Sequence, residues 1–307
     1  MSLLFDEKTK VVIQGITGRE GQARALLMKE YGTNVVAGVT PGRAGQNVHG
    51  VPVFDTVQEA VDQVGPLEAS VIFIPAALCK AAAFEAIDAG VKLLVIVPDR
   101  VPLYDVLEIA AHAQAKGARF VGPNTLGMIT PGRAVLGMIG GRAASARDWF
   151  KVGPVGVASR SGGMTTAVSY YLGRAGVGLS RVIHVGGDSV VGSPHPDVML
   201  ALEADPGTKA VVMLGEIGTT QEERVAELRE TGRFTKPLVA WIGGAAAKSG
   251  TRFSHAGAIV EGGRGSWDGK VARLQEAGAR VVENFDDIPQ VTSQLLAEMG
   301  IKGQVNP

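Results

Sequence analysis

His255 stands in the stretch Ser254-His255-Ala256-Gly257-Ala258-Ile259, and Gly262-Gly263-Arg264-Gly265 follows soon after. Small neighbours leave an imidazole open to a reacting group and let its loop move. No H-E-x-x-H or other ligand spacing surrounds it, which argues against zinc. What fits is a nucleophile or phosphate carrier, which must keep one ring nitrogen free while an acceptor holds the other in the right tautomer. Glu216, in Leu214-Gly215-Glu216-Ile217-Gly218 at the end of a strand pattern, is the candidate acceptor, because ligand sites in open α/β sheets form at strand ends. The plain alternative is a loop histidine with no role. The other four have plain readings: His112 solvated on a helix, His195 in a turn, His49 near a basic loop and His184 inside a strand.

Two glycine-rich turns offer places for anions. Strand Val11–Gln14 runs into Gly15-Ile16-Thr17-Gly18-Arg19-Glu20-Gly21 and then a helix, an arrangement that presents backbone N–H groups and a helix dipole to phosphate. The spacing is G-x-x-G-x-x-G rather than the G-x-G-x-x-G of dinucleotide dehydrogenases, which also place an acid after the second strand for the ribose. Here that place reads Val39-Thr40-Pro41-Gly42-Arg43. A cation suits a further phosphate, so the ligand is expected to resemble coenzyme A more than NAD. The second turn, Ser159-Arg160-Ser161-Gly162-Gly163-Met164-Thr165-Thr166, again joins a strand to a helix and could hold a phosphoryl group. The alternatives are glycines that merely pack a βα turn and hydroxyls that merely cap a helix. Two anion cradles with an accessible histidine point to phosphoryl transfer joined to a phosphate-bearing cofactor.

These turns need strands to end on and helices to begin. Val11–Gln14, 34–39, 70–74, 93–97 and 119–121 read as strands, each separated from the next by helix-like sequence, as in a parallel sheet covered on both faces. In the first helix, from Glu20 to Tyr31, Ala23, Leu26 and Leu27 are expected on the apolar side. Residues 126–150, rich in Gly, Pro and Ala, look like a connection. A second alternation follows, with strands at 155–158, 182–185, 210–214, 238–242 and 280–282 and helices near 164–175, 196–204, 220–231, 268–277 and 287–299. The expectation is α/β: a Rossmann-like domain over 1–125, a connection over 126–150, and a flavodoxin-like doubly wound domain over 151–307.

Composition agrees. The 307 residues suit about two domains, and 46% hydrophobic with 20% charged leaves no case for disorder. Thirty basic residues balance thirty acidic ones, so bulk positive charge is not available for nucleic acid. The 42 glycines are about twice the usual ~7%, as suits tight turns beside ligands. A single cysteine, Cys79, excludes an internal disulfide. Charges interrupt the N-terminus and the apolar runs are strand-sized, so neither an export signal nor a membrane span is expected, and a cytoplasmic protein is.

With Gln14-Gly15-Ile16-Thr17-Gly18, Gly38-Val39-Thr40-Pro41-Gly42, Gly50-Val51-Pro52-Val53-Phe54, Gly122-Pro123-Asn124, Ser159-Arg160-Ser161-Gly162, Gly186-Gly187-Asp188, Gly215-Glu216-Ile217-Gly218 and His255-Ala256-Gly257-Ala258 in this order, the chain resembles the α-subunit family of succinyl-CoA synthetase nearly end to end. The resemblance implies a ligase of the tricarboxylic acid cycle type, hetero-oligomeric, with a β-subunit whose ATP-grasp domain binds ATP or GTP with Mg2+. It implies CoA contacts at Thr17, Gly18, Arg19, Glu20, Arg43 (where the family usually has lysine), Val97, Pro98 and Asp99. It implies that His255 takes phosphate from nucleotide, that Glu216 orients it, and that Ser159, Ser161, Gly162 and Gly163 receive the phosphoryl group. The phosphoryl group then passes to a carboxylate, and CoA thiolate displaces it.

Departures bear on the acid. The family's Gly-Pro-Asn-Cys-Pro-Gly reads Gly122-Pro123-Asn124-Thr125-Leu126-Gly127, and its Ser-Gly-Thr-Leu-Thr-Tyr-Glu reads Ser161-Gly162-Gly163-Met164-Thr165-Thr166-Ala167. Thr166 stands in place of a substrate-contacting tyrosine, and Ser-Gly-Gly-Met is similar to ATP-citrate lyase and citryl-CoA synthetase. Citrate, malate, itaconate or a sulfonated acid then compete with succinate. Two other classes are weighed: a CoA-binding protein without catalysis, which needs neither His255 nor Glu216, and an NAD-dependent oxidoreductase, which needs the missing acid after the second strand.

Overall fold

A computed structural model describes residues 3–245 and 265–301; His255 lies outside the described residues. The chain divides into two compact units, residues 1–146 with 190–192, and residues 147–189 with 193–307.

In the first unit, β1 (Val11–Gln14), α1 (Arg19–Tyr31), β2 (Val35–Val39), β3 (Asn47–Val48), β4 (Val51–Phe54), α2 (Val57–Val64), β5 (Ala69–Ile72), α3 (Cys79–Asp88), β6 (Leu93–Ile96), α4 (Leu103–Ala115) and β7 (Arg119–Val121) follow one another. Six strands lie parallel in the order β4-β2-β1-β5-β6-β7, with β3 antiparallel on β4. This is the doubly wound dinucleotide-fold order. Central strands β1, β5 and β6 are buried along their whole length, as a sheet covered on both faces requires. The buried amide of Gln14 is satisfied: it donates to Ala82 O at 3.0 Å and accepts from Ser70 Oγ at 2.7 Å.

Helix α1 corrects one expectation. Its buried face is Gly21, Ala25, Leu27, Met28 and Tyr31, while Ala23 is exposed and Leu26 is 39% exposed. The helix is rolled so that Gly21 meets the backbone of the preceding turn, and only a residue without Cβ permits that roll. Residues 126–150 hold a buried antiparallel hairpin, β8 (Gly127–Thr130) and β9 (Ala134–Gly137), and then α5 (Ala143–Trp149). Residues through Ala146 cluster with the first unit, where Thr33 exchanges hydrogen bonds with Val135 at 2.8 and 2.9 Å.

The second unit runs β10 (Val152–Ser159), α6 (Gly162–Arg174), β11 (Leu179–His184), α7 (His195–Ala204), β12 (Ala210–Glu216), α8 (Gln221–Glu230), β13 (Leu238–Gly243), α9 (Trp267–Glu276), β14 (Arg280–Val282) and α10 (Ile288–Glu298). Five parallel strands lie in the order β14-β13-β12-β10-β11, which is the flavodoxin-like winding. His195 is not in a turn. It opens α7, because Pro194 and Pro196 flank it at positions where proline starts a helix, and its side chain is fully buried.

Candidate functional site

In each unit the chain reverses its direction of winding beside one strand, β1 in the first and β10 in the second, and the crevice at such a switch is where open α/β sheets bind ligands. The glycine-rich turn of the first unit leaves β1 at this place. Gly15 has φ +81°, and a Cβ there would come within 2.7 Å of the Ile74 side chain. Gly21 leaves no room either: a Cβ would sit 2.8 Å from Ile16 Cα. The turn is therefore a bare backbone cradle, as a pyrophosphate needs. Gly18 caps α1 without any side-chain acceptor, so the first-turn N–H groups are not taken up by a cap.

Thr17 is anchored through its N–H to Thr40 Oγ1 at 3.4 Å, and its carbonyl accepts from Gln22 Nε2 at 2.7 Å. Arg19 is almost wholly in solvent, 96% exposed. Glu20 puts an unhelpful negative charge beside a phosphate cradle, and Arg24 offsets it at 3.0 Å. Arg43 follows β2 on the same edge of the sheet; its loop is pinned by Asp55 Oδ1, which accepts from the N–H groups of Arg43 and Ala44 at 2.9 Å each. Val97, Pro98 and Asp99 follow β6, where Val97 N donates to Ile72 O at 3.3 Å and Asn124 N to Pro98 O at 2.8 Å. All eight residues thus sit at or just beyond the C-terminal ends of β1, β2 and β6.

In the second unit, β10 ends at Ser159 and α6 begins at Gly162. Ser159 and Ser161 close a small turn on each other, with Ser161 N donating to Ser159 Oγ at 3.1 Å. The α6 N-terminus carries no side-chain cap and no acid in its first turn. Gly163 is exposed, and a Cβ there would meet nothing within 4 Å. Four neighbouring features therefore favour an anion: N–H groups, the dipole, absence of acid and open space. The Thr166 hydroxyl turns back to Gly162 O at 3.3 Å, which leaves its short side chain along the first turn of the helix.

Glu216 closes β12, next to β10 in the sheet. Its carboxylate, 13% exposed, lies 3.0 Å from Nε of Arg160, whose side chain is 1% exposed. The N–H is not aimed at the oxygen, so charge rather than an aligned hydrogen bond holds this contact. The Glu216 backbone N–H donates to Glu222 Oε1 at 3.1 Å. Glu222 is paired with the Lys270 ammonium, and both side chains are wholly buried. Burial alone would raise the Glu222 carboxyl, but the charge and hydrogen bond of Lys270, with the charge of Arg160, outweigh it and hold the carboxyl below its ordinary range. His195 lies against the same cluster, where burial pushes its imidazole down to about 4 and Glu222 only partly opposes this. The chain on both sides of residues 246–264 returns to the Glu216 turn: Ile217 N donates to Gly243 O at 3.2 Å, and Gly218 N to Gly265 O at 2.8 Å.

Sequence reasoning missed Arg160, Glu222, Lys270 and His195. Arg160 was in plain view inside Ser159-Arg160-Ser161, but nothing in the spacing links it to Glu216. Lys270 and Glu222 are 48 positions apart, and their helices α8 and α9 look like any charged surface helix. Among the described residues, no group of three or more His, Cys, Asp or Glu could hold a metal, and no helix is long and apolar enough to cross a membrane.

Comparison with known proteins agrees with both units. A family model for the CoA binding domain matches residues 6–99, and one for CoA-ligase matches residues 158–280. The succinate–CoA ligase [ADP-forming] α subunit of Aquifex aeolicus is 44% identical over 298 residues, 96% of this chain and 95% of the relative. A subunit of an ADP-forming sulfoacetate–CoA ligase from an Acholeplasma species is 42% identical over 305 residues, 98% of this chain and 99% of the relative. The structure of ATP citrate lyase from Methanothrix soehngenii, in complex with citrate and coenzyme A, superposes with a TM-score of 0.89 at 25% identity, covering 97% of this chain. The chain spans about half, 52%, of that longer polypeptide.

Proposed function

The chain belongs to the α-subunit family of succinate–CoA ligases and related acid–CoA ligases, and we propose that it works through a phosphohistidine at His255. On this reading its partner is a β-subunit with an ATP-grasp domain that binds ATP or GTP with Mg2+. A ring nitrogen of His255 attacks the γ-phosphorus, and the bond to the nucleoside diphosphate oxygen breaks. The phosphoryl group passes to an oxygen of the substrate carboxylate as the P–N bond breaks, giving an acyl phosphate. CoA thiolate then attacks the acyl carbon and inorganic phosphate leaves, so acid, CoA and nucleoside triphosphate become acyl-CoA, nucleoside diphosphate and phosphate. The histidine divides one difficult transfer into in-line steps.

The observation that carries this reading is the placement of Glu216. It ends β12 at the switch of the second sheet, beside the uncapped α6 turn, and the chain leading into and out of the His255 segment packs at Ile217 and Gly218. A carboxylate there can take the imidazole N–H and fix the tautomer, and Ser159, Ser161, Gly162 and Gly163 can receive the phosphoryl charge. CoA is assigned to Thr17, Gly18, Arg19, Glu20, Arg43, Val97, Pro98 and Asp99. Relatives naming succinate and sulfoacetate match almost equally well, so overall identity does not choose the acid. The short Thr166 favours an acid bulkier than succinate or differently charged.

The test is labelling. With its β-subunit and Mg-nucleotide carrying a γ-phosphate label, the protein should gain one acid-labile, alkali-stable phosphate. His255→Ala should abolish label and turnover while CoA binding persists, and His255→Asp should do no better. Label on His255→Ala at the wild-type level refutes the mechanism.

A further inference from the structure

A fully buried arginine beside a candidate phosphate turn calls for a reason. Removing a guanidinium from water is costly, and a buried ion pair is often no more stabilising than apolar side chains of the same size. What such a group supplies is fixed geometry. The guanidinium of Arg160 touches three residues in two other chain segments, one at the end of β12 and one after β11. Nε faces Glu216 at the end of β12, Nη1 donates to Thr219 Oγ1 in the turn that follows it at 3.1 Å, and Nη2 donates to Asp188 O, beyond β11, at 2.9 Å. Its own backbone is held as well: Arg160 N donates to Leu214 O at 3.3 Å, and its carbonyl accepts from His184 Nε2 at 3.0 Å.

Thr219 adds a second observation. Its φ is +46°, a left-handed conformation that a β-branched side chain rarely adopts. Strain of this kind persists only where the surroundings over-determine it, and it concentrates at functional sites. Here the surroundings include the Arg160 bond. The Glu216 backbone, in contrast, is fixed independently by the Glu222–Lys270 pair. Main chain and carboxylate of Glu216 are therefore held by separate devices.

We propose that Arg160 is the positioning residue for Glu216: it sets the carboxylate rotamer and ties the turns after β10, β11 and β12 so that Glu216 meets the phosphorylated histidine in one geometry. This rests on the reading of Glu216 as the acceptor for His255. On this reading Arg160 acts through Glu216 rather than on the reacting groups themselves. Because Glu222 and Lys270 still hold the backbone when Arg160 is changed, the loss of rate is separable from any loss of stability, which thermal unfolding records.

The experiment is a double-mutant cycle on single-turnover phosphorylation from Mg-ATP, in the α-chain assembled with its β-subunit. The variants are Arg160→Gln, Glu216→Gln and both together, with Arg160→Lys as the conservative change and thermal unfolding recorded for each. Arg160→Gln should slow phosphorylation by about 10–100-fold, the usual cost of losing an outer-shell orienting partner, while KM for nucleotide and CoA affinity stay within about twofold. Arg160→Lys keeps the charge without the three-way grip and should fall between. In the Glu216→Gln background, Arg160→Gln should cost less than about threefold more, because residues acting as one unit are not additive. Independent, multiplicative losses overturn the proposal, as does a wild-type rate in Arg160→Gln. If Glu216→Gln alone phosphorylates at the wild-type rate, the role of Glu216 fails first and Arg160 has nothing to position. Should Arg160→Gln fail to fold, the same cycle run with Arg160→Lys decides.

Discussion

Gly21→Ala sets two effects of the same substitution against each other. Gly21 is the third residue of α1, and replacing a helical glycine by alanine ordinarily gains about 1 kcal/mol. Here the new Cβ would lie 2.8 Å from Ile16 Cα and 2.9 Å from the Gly15 carbonyl carbon, and nearer still to that carbonyl oxygen. These are backbone atoms of the phosphate turn and cannot swing aside. Helix and turn must part by about 1 Å, an overpacking that costs ~1–3 kcal/mol. Clash outweighs propensity, for a net loss of about 1 kcal/mol and a fall in Tm of about 2–4 °C. CoA should suffer more. Each charge-assisted hydrogen bond misplaced at the turn forfeits about 1.5–3 kcal/mol, so Kd by calorimetry should rise at least about tenfold. Gly173→Ala is the internal contrast: also inside a helix, its Cβ would meet Lys151 Cγ at 3.4 Å and Trp149 O at 3.6 Å, ordinary contacts, and it should gain up to about 1 kcal/mol. Far-UV ellipticity follows the whole chain in urea. Tryptophan emission follows the second unit alone, which holds Trp149, Trp241 and Trp267. If Gly21→Ala is as stable as the parent and binds CoA within twofold of it, the cradle has been misread.

Arg43→Glu, which sets like charge against phosphate, should weaken CoA binding by at least about tenfold while NAD shows no comparable affinity; unchanged calorimetry removes Arg43 from the site. His195 makes stability depend on pH. Its folded pKa, about 4 against 6.5 in the unfolded chain, means the unfolded state binds more protons between those values, so stability falls as pH drops from about 6.5 toward 4, by up to ~1.4 kcal/mol per unit. The lowered carboxyls Glu203, Asp205 and Glu222 act in the same direction, so the measurement is the difference between wild type and His195→Gln; identical pH slopes would exclude a buried neutral imidazole. Among candidate acids, succinate should not have the highest kcat/KM, and a steady-state comparison that ranks it first removes the role assigned to Thr166.

What was legible in the sequence was whatever the chain writes locally. Strands such as Leu93–Ile96, and Val11 to Ile13 of β1, are continuous apolar runs, and their alternation with helices implies parallel strands in both sheets. Glycine-rich turns also announce themselves, because a residue such as Gly15 at φ +81° leaves little choice of side chain. The roll of α1 was not legible: Leu26 scores as apolar, yet the position of Gly21 against the turn decides which face turns inward, and that is a contact between backbones. Residues 126–150 deceived for a related reason. Gly127 and Gly137 have φ +96° and +121°, and a Cβ on either would sit 3.0 Å from the Cα of the other across the hairpin, so glycines that read as a loose connection are what let two strands close on each other.

The machinery around Glu216 was hidden more deeply. Arg160, Glu222, His195 and Lys270 come from the β10 end, α8, α7 and α9, and each alone reads as a surface or capping residue. Burial changes their meaning, since a charge that would cost nothing in solvent must be paired once the helices cover it. The cluster pairs these charges and also holds Glu216 at two points, its main chain through Glu222 and its side chain through Arg160. A ligase that must hand a phosphoryl group from one partner to another needs its acceptor geometry set before the group arrives, because reorganising a carboxylate during transfer would add to the barrier. On the proposed mechanism the buried charges have a purpose that their stability alone does not supply, and the one residue whose replacement separates the two is Arg160.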